Sequence, residues 1–316
     1  MTTSVDRCSR FESYLIAGLD DTKLAKPKSA DRRSRLESYL MAVLDDLTKP
    51  GDIALDIEVY DPTPALRKNG ARIPSALQKI TDRFQSKVRL LQLYRQGGDQ
   101  AWLLDMKAWE EEGMLDDAHL QPLRYILGSA ERRIVGHGIT TFDAPWVWEH
   151  FRIRFARLAD TLTAHRLIVG GRKITKTDNP ELQGHLDRVL RFYLDFEYPS
   201  DQGASDWGVE QLDDTQLEYA EHDVLHLHEL LFRMEELIRL DRLQKAWGLE
   251  QRLAPVVVDM TNRGAPFDRE GAIAAYQAVK PRLEAAEKAV RDWFGLPQSQ
   301  SQFRPTVNGG LKWQGN

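Results

Sequence analysis

The sequence predicts an α/β protein: a mixed five-stranded sheet that opens with antiparallel pairing, flanked by helices and carrying helical extensions at both ends. Three observations predict it. Residues 53–59, 87–94 and 101–105 are apolar runs of strand length, and Gly97-Gly98-Asp99 between the last two is a hairpin turn. Two shorter runs, 133–137 and 157–160, each precede a helical pattern. The segments 106–128, 186–194 and 214–240 read as helices.

With 316 residues the chain has room for one large domain and a smaller one. Its 42% hydrophobic and 29% charged residues are those of a globular protein with a sizeable core. A single cysteine, Cys8, excludes an internal disulfide framework and fits a reducing, cytoplasmic setting. No uncharged apolar run approaches membrane-spanning length and no signal-peptide pattern is present, so no membrane partner is expected. The formal net charge of −5 opposes a polyanion, which would have to be held by a local basic groove or by metal.

Residues 1–50 form the first extension and contain an internal repeat. Ser9 to Asp21 returns as Ser34 to Asp46 with ten of thirteen positions identical. Each copy reads as a short amphipathic helix, with Leu36, Leu40, Val43 and Leu44 at helical spacing in the second, and a polar linker with Pro27 lies between them. Either only the second copy docks, or the two exchange on one docking site.

Residues 51–242 form the main predicted domain. Its first strand contains Ala54-Leu55-Asp56-Ile57-Glu58-Val59, in which side chains two apart share a face. Asp56 and Glu58 therefore project together, while Leu55, Ile57 and Val59 go to the opposite face. Such an acid pair is either one solvated side of a strand or a ligand set for a hard divalent cation. After the hairpin and the helical stretch 106–128, Arg133 to His137 is a strand turning at Gly138. Thr140 or Thr141 is placed to cap the next helix, with Pro145 in its first turn and Asp143 near its positive end. Arg157 to Asp160 is the fifth strand, and a helix starts at Thr161. A polar loop at 170–184 carries Arg172, Lys173 and Lys176. Ser205-Asp206-Trp207 lies in the loop before a long helix, 214–240, with its apolar side at Leu225, Leu227, Leu230 and Leu231. Tyr219 and Asp223 are four apart and share a face of it.

Asp56-x-Glu58, the stretch Gly136-His137-Gly138-Ile139-Thr140-Thr141-Phe142-Asp143, and Tyr219-x-x-x-Asp223 together resemble the three motifs of the DEDD (RNase H-like) 3′-5′ exonuclease superfamily. Tyr219 points to the tyrosine subtype. Ser205-Asp206-Trp207, Leu212, Gln216-Leu217 and Asp223-Val224 extend the resemblance to RNase D and to the proofreading domains of family A (DNA polymerase I type) polymerases. It covers about residues 50–240. Gly138 departs from it, because many relatives have Asn there, a residue that helps to hold the substrate backbone. His222 and His226 are four apart on a helix, a spacing zinc could use, but no third ligand accompanies them.

The resemblance implies two divalent cations, Mg²⁺ or Mn²⁺, held by Asp56, Glu58, Asp143 and Asp223. Asp56 would bridge the ions, Glu58 and Asp223 would complete one site, and Asp143 would hold the second. Tyr219 would orient the attacking water. The implied substrate is the 3′ end of single-stranded or frayed DNA, with RNA trimming and a catalytically silent binding module as the alternatives. His137, Phe142, Trp207, Arg172 and Lys173 are the candidate nucleic-acid contacts. Phe142, Trp146 and Trp207 offer rings for base stacking, core packing being favoured for Phe142 and Trp146.

Residues 243–316 form the last extension, two helices separated by 262–268 and followed by a Gln/Ser/Gly-rich tail that reads as loose or cut off. Glu250, Pro255 to Met260, Arg263-Gly264 and Asp268 resemble the passage by which family A polymerases enter the thumb, so a polymerase module is a candidate partner.

Overall fold

The computed structural model describes residues 29–63, 82–170, 184–198, 205–295, 303–305 and 311–313. It divides into two units, Met1–Arg263 and Gly264–Asn316. In the first, α1 (Ser29–Thr48) precedes β1 (Ile53–Tyr60), β2 (Lys87–Arg95) and β3 (Trp102–Asp105). Then come α2 (Met106–Glu111), α3 (Asp117–Leu127), β4 (Ile134–Gly136), α4 (Asp143–Phe151), β5 (Leu158–Asp160) and α5 (Thr161–Ile168). Four more helices follow: α6 (Leu186–Leu194), α7 (Asp214–Leu225), α8 (Leu227–Leu240) and α9 (Gln244–Arg263).

The five strands form one mixed sheet, as the sequence predicts, and their order is β3-β2-β1-β4-β5. β1–β2 and β2–β3 are antiparallel, and β1–β4 and β4–β5 are parallel. Strand alternation separates the two faces. Leu55, Ile57, Leu91, Leu93 and Leu104 enter a core shared with Leu36, Leu40, Val43 and Leu47 of α1, Trp109 of α2 and Leu123 of α3. Ala54, Val135 and Ala159 turn the other way, toward Val189 and Leu190 of α6 and Leu227, Leu230 and Leu231 of α8. Leu225, expected with that group, is only half-buried. No helix among the described residues is long and apolar enough to cross a membrane.

The β1–β2 register steps from Glu58↔Leu90 to Val59↔Val88, which leaves Arg89 as the additional residue of a β-bulge. A bulge re-aims the side chain it carries. Here the Arg89 guanidinium, 1% exposed, donates to Asp105 Oδ2 at 3.0 Å and to the carbonyls of Trp207, Val209 and Glu210. It thereby fastens the loop that leads into α7.

The second copy of the repeat docks as part of α1, whose first turn takes in residues 29–33 of the stretch read as a linker, while the first copy and residues 22–28 lie outside the described residues. Tyr39 reaches the sheet edge, its hydroxyl accepting from Leu103 N at 3.1 Å and standing 3.3 Å from Leu103 O. Asp46 accepts from Arg95 Nη2 at 2.8 Å and from Trp102 Nε1 at 2.9 Å. Asp46→Ala removes these bonds together with a third, from Arg95 Nε at 3.0 Å, and hydrogen bonds to charged groups contribute about 1.5–3 kcal/mol each. A loss of stability of that order is expected in urea denaturation; an unchanged midpoint would show that the latch adds nothing.

Three helical expectations are corrected. The stretch 106–128 is two helices, because Gly113 at φ +66° closes α2 with Met114 N bonded to Trp109 O at 2.8 Å and Gly113 N to Glu110 O at 3.1 Å, a Schellman end. Asp116 then caps α3 by accepting from His119 N. The stretch 214–240 breaks at His226, where neither Gly nor Pro warns of it; the His226 ring lies 3.9 Å from that of Phe196 and stacks at 6° on His222. Neither Thr140 nor Thr141 caps α4: Phe142 is the cap residue without a side-chain bond, and the Thr141 hydroxyl donates to Gly138 O instead.

In the second unit, α10 (Arg269–Phe294) is capped by Asp268, which accepts from Gly271 N at 2.8 Å. Phe303–Pro305 and Leu311–Trp313 pair as antiparallel β6 and β7, so part of the tail read as loose is paired. Asn308-Gly309 between them is a hairpin signal that the biased composition obscured.

Candidate metal centre

Asp56 and Glu58 stand on the face of β1 opposite Leu55 and Ile57, as strand alternation requires. Asp223 arrives from α7, whose start is fixed by a capping box: Asp213 accepts from Gln216 N at 2.9 Å, and Gln216 Oε1 accepts from Asp213 N at 3.1 Å. Carboxylate oxygens of Asp56, Glu58 and Asp223 all lie within 4.8 Å of one another. Residues 56 and 223 are thus brought to one pocket from opposite ends of the domain.

Asp143, the first residue of α4, is 2% exposed. It is not one of the three whose oxygens meet within 4.8 Å, yet it is close enough for its charge to act on both Glu58 and Asp223. Its entry is set by the turn before it. Gly138 sits at φ +76°, a left-handed conformation that Gly and Asn adopt most readily. Asp160, at the end of β5, accepts from Gly138 N at 2.9 Å and Thr140 N at 3.2 Å while capping α5 through Leu162 N and Thr163 N. One buried carboxylate therefore ties the turn leading to Asp143 to the neighbouring strand.

The electrostatics are those of buried acids gathered close to one another. Burial, then the Asp223 charge, pushes the Asp56 carboxyl well above its ordinary value. Glu58 is raised by burial and by Asp223, Asp56 and Asp143 in turn. Asp143 is raised by burial and by Asp56. Asp223 is raised to about 7, chiefly by burial, with a hydrogen bond from Tyr198 working against the shift. Repulsion of this kind is relieved by a cation, and an all-oxygen donor set suits a hard divalent one. Gln92 adds to the fit. It is the cross-strand partner of Asp56, fully buried, and neither amide atom has a hydrogen-bond partner. Such unmet polar capacity beside the acids is what an ion's hydration shell satisfies.

Tyr219 is half-buried one turn before Asp223, its ring 5.5 Å from that of Tyr198 and 6.4 Å from that of Trp207. The expected nucleic-acid contacts fare unevenly. Trp207 is 2% exposed, packed with Leu90, Leu103, Leu212 and Leu217, and offers no face to a base. The polar loop around it concealed this, since its aromatic ring fills the space between α7 and the sheet. Phe142 is 38% exposed and Trp146 is buried, their rings 5.4 Å apart, so of the two only Trp146 packs in the core. His137 is committed within the protein: Nε2 donates to Gly184 O at 3.1 Å and Nδ1 lies 2.9 Å from Thr161 Oγ1. Burial pushes its pKa down, which keeps the ring neutral. Arg172, Lys173 and Lys176 lie outside the described residues. His222 and His226 stack on each other and meet Phe196 at a tilt, as ordinary packed residues do.

Sequence reasoning missed Tyr198, Gln92, Arg89 and Asp160. The polar Gln92 inside Leu90-Leu91-Gln92-Leu93 was a usable signal; for Tyr198, in an irregular segment, there was none.

A family model described as 3′-5′ exonuclease matches residues 78–239, just over half of the chain. That span holds Asp143, Tyr219 and Asp223, and begins after Asp56 and Glu58. By sequence the chain is similar to DNA polymerase I of Aquifex aeolicus (strain VF5), at 25% identity over 249 residues, covering 74% of this chain and 39% of the polymerase. It therefore spans about two fifths of the length of that relative. By structure it is similar to Brucella melitensis NrnC, with TM-score 0.51, 20% identity, and 69% of this chain and 88% of that chain covered. Escherichia coli RNase D, an exoribonuclease involved in structured RNA processing, matches with TM-score 0.51 and 18% identity over 70% of this chain and 48% of its own. The shared feature is the RNase H-like α/β fold.

Proposed function

The chain belongs to the 3′-5′ exonuclease family, and from that premise we propose that it is a metal-dependent exonuclease acting on single-stranded or frayed DNA 3′ ends. The products are nucleoside 5′-monophosphates. The observation that carries this reading is the meeting of the Asp56, Glu58 and Asp223 oxygens within 4.8 Å, with Asp143 buried nearby. Similarity to a DNA polymerase over 74% of the chain supports DNA as substrate and proofreading beside a polymerase module as the setting.

Asp56 would bridge two Mg²⁺ or Mn²⁺ ions, Glu58 and Asp223 would complete one site, and Asp143 would hold the other. When bound, two such cations would lower the pKa of a water and neutralise charge on the attacking and leaving oxygens. Tyr219, one helical turn from Asp223, orients the attacking water with its hydroxyl. Exposed Phe142, beside the turn that delivers Asp143, offers a face on which a terminal base stacks. Tyr219→Phe is expected to slow kcat by roughly 10–100-fold, the cost of misplacing a reacting group, without abolishing it. An unchanged rate would remove Tyr219 from the mechanism.

Matched DNA and RNA oligonucleotides labelled at the 5′ end, incubated with Mg²⁺ or with EDTA, test the whole reading. A DNA ladder shortening from the 3′ end, only with Mg²⁺, is expected. Degradation of RNA alone would move the chain to RNA trimming, the activity that RNase D carries on this fold. Binding without cleavage would make it a silent module.

A further inference from the structure

We propose that Tyr198 is a positioning residue of this centre, its hydroxyl holding the Asp223 carboxylate in the orientation that presents an oxygen to Asp56 and Glu58. The inference rests on the metal-dependent reading above.

Tyr198 belongs to none of the three motifs. It reaches the site because α6 ends at Asp195 in a left-handed conformation, φ 54°, which turns the following segment along α7. Phe196 then meets His222 and His226, with ring centroids at 5.4 and 3.9 Å, and Tyr198 meets Tyr219 at 5.5 Å. Phe196 and Tyr198, two residues apart, thus meet His222 and Tyr219, which lie about one turn apart on α7. At the end of that match the Tyr198 hydroxyl donates to Asp223 Oδ1 at 2.8 Å.

The bond bears on geometry. Asp56, Glu58 and Asp223 repel one another, and a free Asp223 side chain would lower that repulsion by rotating away. Tyr198 holds one of its oxygens from outside the trio, and with this bond in place an Asp223 oxygen still stands within 4.8 Å of those of Asp56 and Glu58. An ionised carboxylate has about four acceptor sites, so one hydroxyl leaves ample capacity for a cation. The Tyr198 ring also packs on Tyr219, so a single side chain touches both motif residues of α7.

Tyr198→Phe keeps the ring and deletes the bond. Titration calorimetry with Mn²⁺ or Mg²⁺ alone, without nucleic acid, is expected to show affinity 10–100-fold weaker than wild type, the usual cost of losing a partner that orients a ligand. The circular dichroism spectrum and the melting temperature in EDTA are expected to stay near wild type. Tyr198→Phe in an Asp223→Asn background should weaken binding no further than Asp223→Asn alone. Equal affinity of wild type and Tyr198→Phe, additive losses in the double variant, or a Tyr198→Phe protein that fails to fold would each overturn the proposal. If wild type itself takes up neither ion, the metal-dependent reading falls as well, which separates the two failures.

Discussion

Asp56→Ala is expected to lower the cleavage rate by on the order of 10³-fold while raising the melting temperature of the metal-free protein. The first effect follows from the place proposed for Asp56 between two cations. Such ions contribute several kcal/mol of transition-state stabilisation, and each 1.36 kcal/mol is about tenfold in rate. The second follows from charge. Asp56 is raised well above its ordinary value by burial and by Asp223, so its ionised form opposes the fold when no cation is present. For an acid raised in the fold, stability is full below the unfolded value near 4 and is lost as pH climbs through the folded value. Asp223, raised to about 7, places part of that loss in the neutral range. The gain from Asp56→Ala should therefore be small at pH 5 and largest at pH 8 in EDTA. A few degrees is the expected size, since about 1 kcal/mol shifts the melting temperature of a domain of roughly 150–250 residues by about 2–4 °C. Calorimetry at the two pH values and a rate assay check both halves, with Asp56→Asn as the isosteric control. Undiminished cleavage would remove the metal assignment.

Arg89→Ala is expected to destabilise the protein by about 3–5 kcal/mol, the cost of leaving one member of a buried ion pair alone. The bulge in β2 sends this guanidinium to Asp105 and to three carbonyls of the loop before α7, all of which would lose a donor. Replacing both charged residues, as in Arg89→Met with Asp105→Leu, should recover part of the loss because no unpaired charge remains. Urea denaturation of the two proteins is the measurement. A single-variant loss below about 1 kcal/mol, the size of an exposed pair, would show that the clasp does little.

These two residues also mark how far the sequence could be read. Asp56 was legible because strand periodicity alone pairs it with Glu58, and Asp223 because four residues on a helix bring it beneath Tyr219. Those relations are local, and so was the hairpin turn at Gly97-Gly98. Arg89 was not legible: its role depends on one unpaired residue in a ladder, and nothing in Lys87-Val88-Arg89-Leu90 announces a bulge. Trp207 misled because its neighbours are polar, whereas its own burial is decided by α7 and β2. The break at His226 was hidden for the same reason, since aromatic packing from a separate segment accompanies it. Tyr198 shows the limit most clearly, for its contact with Asp223 comes from how an irregular segment lies along a helix.

The helix that precedes β1 alters where a minimal version of this nuclease fold can be cut. Motif positions invite a start at Gly51, after Pro50, where the chain looks like a joint. Yet Leu36, Leu40, Val43 and Leu47 occupy the same interior as Leu55 and Leu91. A recombinant domain begun at Gly51 would therefore bare an oily groove along one side of its sheet and leave the Trp102 indole without its acceptor. The smallest well-behaved version begins at or before Ser29, and much of what reads as an appendage is wall.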